Sequence, residues 1–125
     1  MQRPATIRHR QSLFEDAARI VQAEYGSDLS LDAIARRVAA SRRQVQRAFA
    51  ESGSTTFREY LTRVRMENAA ELLSSNRLTV REVAQRVGYR QPAQFAKAFR
   101  RHRGRAPSAY RTQLAARVRP QGEAA

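Results

Sequence analysis

Three polar residues, Arg43, Gln46 and Arg47, interleave with three apolar ones, Val45, Ala48 and Phe49. On a helix that buries the apolar set, positions i, i+3 and i+4 share the outer face. An arginine fork can donate to guanine O6 and N7, and a glutamine amide can pair with adenine N6 and N7. That is the chemistry of reading base edges in a major groove. Ser41 and Arg42, at the start of the same helix, are placed to meet phosphates. A second set follows downstream, with Phe95, Ala98 and Phe99 on one side and Arg90, Ala93, Gln94 and Lys97 on the other. From Arg90 to Arg105 there are six Lys or Arg and no acid, a density that suits gripping a phosphate backbone. Arg100, Arg101, Arg103 and Arg105 are the phosphate candidates there. Each outward side chain has two functional readings, base edge or phosphate. A third reading is an amphipathic helix showing water a charged face. The duplication of the arrangement counts against it.

The elements that must hold these residues are themselves repeated. Ile34-Ala35-Arg36-Arg37-Val38 and Val45-Gln46-Arg47-Ala48-Phe49 return as Val83-Ala84-Gln85-Arg86-Val87 and Phe95-Ala96-Lys97-Ala98-Phe99, offset by 49 and then 50 residues. Each copy reads as a short helix, a tight turn and a longer basic helix, which is a helix-turn-helix. Capping boxes mark the starts: Ser12-x-x-Glu15, Ser41-x-x-Gln44, Thr56-x-x-Glu59 and Thr79-x-x-Glu82. Ser30 caps the first short helix, and Pro92 and Pro107 open the last two helices. The first helix carries Leu13, Phe14, Ala17, Ala18, Ile20, Val21 and Tyr25 at helical spacing and ends at Gly26. A helix from about Phe57 to Leu73, with Phe57, Tyr60, Leu61, Val64, Ala69, Leu72 and Leu73 apolar, would be ~25 Å long. It is expected to be a rigid connector.

The predicted fold is all-α with about seven helices. The expected divisions are a flexible basic arm over 1–10, a first helix-turn-helix subdomain over 11–54, a connector over 55–75, a second subdomain over 76–115 and a flexible tail over 116–125.

Composition narrows the function classes. The chain has 125 residues, 42% of them apolar, and a net charge of +13 from 24 basic and 11 acidic residues. A compact protein with that excess binds polyanions, nucleic acid first among them. Lys97 is the only lysine. The arginine bias suits phosphates and guanines, although a GC-rich coding sequence would produce it too. With no cysteine, disulfides, cysteine zinc sites and cysteine nucleophiles are excluded. No apolar run reaches ~18 residues, and none follows the basic start as a signal peptide would require. A cytoplasmic, nucleoid-associated protein is expected. His9 and His102 fit no metal or nucleophile spacing. The reading is therefore a non-enzyme without cofactor or metal. The aromatic residues an RNA-binding platform needs, Phe49, Phe57, Phe95 and Phe99, are all expected inside. Membrane-surface binding would need apolar faces that the core already uses.

Leu29 to Arg111 resembles the DNA-binding domain of the AraC/XylS family of bacterial transcription regulators. The resemblance is carried by Leu31 to Ala35, Ser41, Val45 with Gln46-Arg47-x-Phe49, Phe57-x-x-Tyr60-Leu61, Arg65, Ala69-x-x-Leu72-Leu73, Val80-x-x-Val83-Ala84, Val87-Gly88-Tyr89, Phe95-x-x-x-Phe99 and Gly104-x-x-Pro107-x-x-Tyr110-Arg111. It implies seven helices whose third and sixth enter successive major grooves of double-stranded DNA. It also implies an activator with RNA polymerase as a second partner. By position, Arg43, Gln46 and Arg47 would serve the first recognition helix. Arg90, Gln91, Ala93, Gln94 and Lys97 would serve the second.

Four departures carry expectations. Ala39-Ala40 lacks the glycine supplied by Gly88 in the second unit, so its turn is expected tighter or shifted. Arg42 stands where proline is common. Pro92 and Ala93 replace polar residues, which puts base reading by the second helix in question. Ala106 before Pro107 forgoes a cap worth ~1 kcal/mol, so the last helix is expected to fray. The length leaves no room for a sensor domain, so the expected protein is a stand-alone regulator or a fragment.

The expected mode is monomeric, with an asymmetric site of two boxes ~10 bp apart. A connector that holds the heads closer than the ~34 Å of a full turn would bend the DNA. The alternative is a non-specific architectural protein of the nucleoid.

Overall fold

The computed structural model describes residues 4–118. Seven helices follow in chain order: α1 (Pro4–Glu24), α2 (Leu31–Arg37), α3 (Arg42–Gly53), α4 (Phe57–Leu73), α5 (Val80–Arg86), α6 (Pro92–Arg103) and α7 (Pro107–Val118). There is no strand among the described residues. None of the described helices is long and apolar enough to cross a membrane.

Two ends differ from expectation. The arm predicted over 1–10 is helical from Pro4, and Ser12-x-x-Glu15 lies inside α1 instead of starting it. The reason is local. Pro4 is pre-set for a first helical position, and no glycine or proline separates it from Ser12. Arg10 also pairs with Glu51 of α3, which ties that turn down. At the other end α7 continues through Val118, so 116–118 belong to a helix and not to the predicted tail. The remainder of the predicted arm and tail, 1–3 and 119–125, lies outside the described residues.

Two compact units make up the chain, Met1–Val64 and Arg65–Ala125, and their boundary falls within α4. In the first unit Ala17 and Val21 of α1, Ile34 and Ala35 of α2, Val45 and Phe49 of α3, and Leu61 and Val64 of α4 form one buried cluster. The Phe49 ring is its centre, edge-on to Phe14 at 5.2 Å and to Phe57 at 5.9 Å. In the second unit Met66, Ala69, Ala70 and Leu73 of α4 are buried, as are Val83 and Ala84 of α5, Val87 just after it, and Phe95 and Phe99 of α6. Rings again run in series: Tyr89 to Phe95 at 5.8 Å, Phe95 to Phe99 at 5.8 Å and Phe99 to Tyr110 at 5.2 Å. Such pairs add about 1 kcal/mol each beyond the area they bury.

The last helix is fastened by a side chain. Arg111 donates from Nε to the Leu73 carbonyl at 3.1 Å, and from Nη2 to the carbonyls of Ser75 at 3.2 Å and Leu78 at 2.6 Å. One guanidinium thus satisfies carbonyls at the end of α4 and in the loop after it. The fraying expected from Ala106 is countered by that anchor, by Tyr110 against Phe99, and by a buried Pro107.

Candidate nucleic-acid interface

The first unit presents α3 through a short turn. Val38 closes α2, and the amide of Ala40 donates to the Ala35 carbonyl at 2.9 Å. Between them Ala39 takes φ 55°, the left-handed region. α3 then starts with a complete capping box. Ser41 Oγ accepts from the Gln44 amide at 3.1 Å, and Gln44 Oε1 accepts from the Ser41 amide at 2.8 Å. Val45, Ala48 and Phe49 point into the core. Arg43, Gln46 and Arg47 are exposed on the other side, with Ser41 and Arg42 exposed at the start.

The second unit repeats this with one residue more. Val87 closes α5, and Tyr89 donates to the Ala84 carbonyl at 2.9 Å. Gly88 has φ 100°. A Cβ at Gly88 would stand 2.9 Å from the Arg65 guanidinium, which lies over the Tyr89 ring at 5.7 Å. The two turns therefore make the same hydrogen bonds at equivalent residues. The tighter or shifted turn expected from Ala39-Ala40 is not found: Ala39 takes the left-handed conformation that Gly88 takes without a Cβ, at a cost of about 1 kcal/mol. The extra residue, Arg90, comes after the turn. α6 begins with Gln91 as its N-cap, without a side-chain cap bond, and with Pro92 in its first turn. Phe95 and Phe99 are buried, while Ala98, expected inside, is half-buried. Arg90, Gln91, Ala93, Gln94, Lys97, Arg100, Arg101, Arg103 and Arg105 are all exposed.

Charge separates the units. Met1–Val64 holds 11 basic and 7 acidic residues, a net +4, against 13 and 4, a net +9, for Arg65–Ala125. On α3 two cations have acidic partners: Arg42 Nε lies 3.1 Å from Asp32 Oδ1, and Arg47 Nε lies 3.8 Å from Glu51 Oε1. Among the described residues none of the cations from Arg90 to Arg105 has an ion pair. Away from these faces, Glu24 accepts from both Arg37 Nη atoms at 2.8 and 2.7 Å, and that bond holds its carboxyl below the usual value. Glu82 is lowered chiefly by the Thr79 backbone N–H of the α5 capping box.

Sequence reasoning missed four participants, Arg58, Arg10, Asp32 and Glu51. Arg58, in the first turn of α4, lines an open groove of about 560 Å³ with Arg42, Gln46, Thr55 and Phe57. A basic residue inside the Thr56-x-x-Glu59 box was the available signal. Arg10 was assigned to an arm, and the approach of Asp32 to Arg42 needs tertiary structure to be seen, whereas Arg47 and Glu51 form an i, i+4 pair within α3 that helical spacing already offered. On α6, Lys97, Arg100 and Arg101 share a shallow depression with Ala96 and Ala106.

A helix-turn-helix domain family matches residues 34–113. The Msm operon regulatory protein of Streptococcus mutans is 31% identical over 96 residues, covering 77% of this chain and 34% of that protein. The chain spans about a third of the length of other curated relatives as well. Two solved structures are similar over most of this chain. One, a Chromobacterium violaceum transcriptional regulator described as an AraC-type DNA-binding domain-containing protein, has a TM-score of 0.79 at 27% identity, over 86% of this chain and 96% of that one. The other, the DNA-binding domain of the global transcriptional factor AdpA in complex with a target DNA, has a TM-score of 0.78 at 33% identity, over 87% and 96%.

Proposed function

Since the chain belongs to the AraC-type helix-turn-helix family of transcription regulators, we propose that it regulates transcription, as an activator, by binding double-stranded DNA as a monomer at an asymmetric two-box site. α3 reads bases with Arg43, Gln46 and Arg47, while Ser41, Arg42 and Arg58 meet phosphates. α6 enters a second groove and acts mainly as a clamp. Arg90, Lys97, Arg100, Arg101, Arg103 and Arg105 hold the backbone, and Gln91 and Gln94 supply what base reading there is.

One observation carries this reading. In both units an exposed row of arginine, glutamine or lysine stands opposite fully buried phenylalanines, on a helix that follows a hydrogen-bonded turn. A helix so built offers one polar face to a groove. AdpA's domain, similar over most of this chain, was solved with its target DNA, which supports the partner class. The activator role and RNA polymerase as second partner rest on the family resemblance.

Selection from randomised duplex DNA at ~0.15 M salt tests the reading, because most non-specific attraction is screened there. The expected product is an asymmetric site with one sharply and one loosely specified box. With ~6–10 phosphate contacts, the log–log slope of affinity against salt should lie near −5 to −9. Binding without enrichment of any sequence would favour an architectural role instead. Reporter transcription from the selected site should rise with the protein present, and a fall would make it a repressor.

A further inference from the structure

Both ion-paired arginines of α3 are approached at the same atom. Asp32 faces Arg42 at Nε, and Glu51 faces Arg47 at Nε. An ion-paired carboxylate on the Nε side leaves the two terminal nitrogens of the guanidinium to donate a parallel pair of hydrogen bonds, the fork that guanine O6 and N7 accept. Glu51 is also held from behind. While its Oε1 faces Arg47, its Oε2 pairs with Arg10 of α1, whose side chain is only 14% exposed. Arg10, Glu51 and Arg47 thus form a chain from a covered anchor to an exposed reader.

We propose that Glu51 is a positioning residue for sequence discrimination: anchored by Arg10, it holds Arg47 by its Nε edge and keeps stray phosphates from capturing it. The inference rests on α3 being the base-reading helix. On random duplex, Arg47 reaches a phosphate only by leaving Glu51 or by drawing that carboxylate toward the DNA backbone. Both oppose binding. On the matching box, the terminal nitrogens meet guanine while Glu51 stays at Nε. The carboxylate therefore weakens wrong complexes more than right ones, which is discrimination by repulsion. α6, with no acid among its cations, has no such device.

The test uses the full chain, a duplex bearing the selected site, and a random-sequence duplex pool of equal length. Glu51→Gln keeps size and removes charge. It should raise affinity for the random pool about 3- to 10-fold while leaving the selected site nearly unchanged, so the specificity ratio falls by that factor. Glu15→Gln, at an exposed acid with no ion pair among the described residues, should move both affinities equally. In an Arg47→Ala background, Glu51→Gln should leave the ratio where Arg47→Ala put it. A second readout needs no DNA. The Arg47 Nε–H cross-peak in nitrogen–proton spectra should shift when Glu51→Gln removes the charge 3.8 Å from Nε, and should stay in place in Glu15→Gln.

Equal effects of Glu51→Gln on both duplexes, or an unchanged cross-peak, overturn the role of Glu51. If Arg47→Ala lowers the ratio and Glu51→Gln does not, only that role fails. If Arg47→Ala leaves the ratio unchanged, the base-reading assignment of α3 fails and takes this inference with it.

Discussion

The two helix-turn-helix units share a backbone plan, down to equivalent turn hydrogen bonds, and differ in how they hold their cations. The first starts its exposed helix with a reciprocal capping box and pairs two of its arginines with acids. The second starts with Pro92 and no side-chain cap, carries more than twice the net charge, and, among the described residues, gives the cations of α6 no acidic partner. Fixed, partly neutralised side chains suit a surface that must choose among sequences. An unpaired basic surface suits one that must hold any backbone. The two units share one backbone plan, and the proposed division of roles follows their different helix starts and flanks.

That contrast can be broken most sharply at Arg111. Its three carbonyl bonds lie wholly in the second unit, so Arg111→Ala should cost about 2–4 kcal/mol, at the upper end for a charged hydrogen-bonding group. Denaturant unfolding would measure the cost. Amide exchange should accelerate over Arg65–Val118 first, and equal loss of protection in both units would mean they unfold as one.

The turns come next. Gly88→Ala must adopt φ 100° and displace Arg65 from Tyr89, so a loss of about 2 kcal/mol is expected. Ala39→Gly relieves a left-handed alanine and should gain about 1 kcal/mol in thermal unfolding. Equal and opposite effects of the two would imply that the turns differ only in their Cβ. At the helix starts, Ser41→Ala should cost about 1 kcal/mol. Gln91→Ala, with no cap bond to lose, should be nearly neutral.

The smallest expected effect is on pH. Glu24 in the first unit and Glu82 in the second both titrate below the usual carboxylate value when folded. Each therefore stabilises the fold above that value and loses its contribution as pH falls through the lowered one. Melting curves between neutral pH and pH about 3 should decline in the acid limb. Glu24→Gln and Glu82→Gln should each flatten part of that decline.

Much of this was legible in the chain. The bounds of α4 and the boxes at Ser41 and Thr79 follow from local hydrogen-bonding chemistry, which sequence states directly. The buried and exposed faces of α3 follow from period alone. The box at Thr56 is half right: Thr56 Oγ1 accepts from the Glu59 amide, but the Glu59 carboxylate takes the hydroxyl of buried Thr55 instead. One stripe drawn along α4 missed Met66 and Ala70, because the two halves of that helix pack into separate cores. Arg111 was quoted for resemblance, yet its carbonyl partners lie 33 to 38 residues away. Arg10 and Glu51 are 41 residues apart. Such pairings depend on tertiary approach, to which period and propensity are blind.

The division of labour is tested most directly by measuring Arg47→Ala and Lys97→Ala side by side on the selected duplex and on a random-sequence duplex. Arg47→Ala should cost about 1–3 kcal/mol on the selected site and far less on random DNA. Lys97→Ala should weaken both alike and reduce the salt slope by about one. The reverse pattern, with specificity lost at Lys97 and uniform weakening at Arg47, would contradict the account and make α6 the reader.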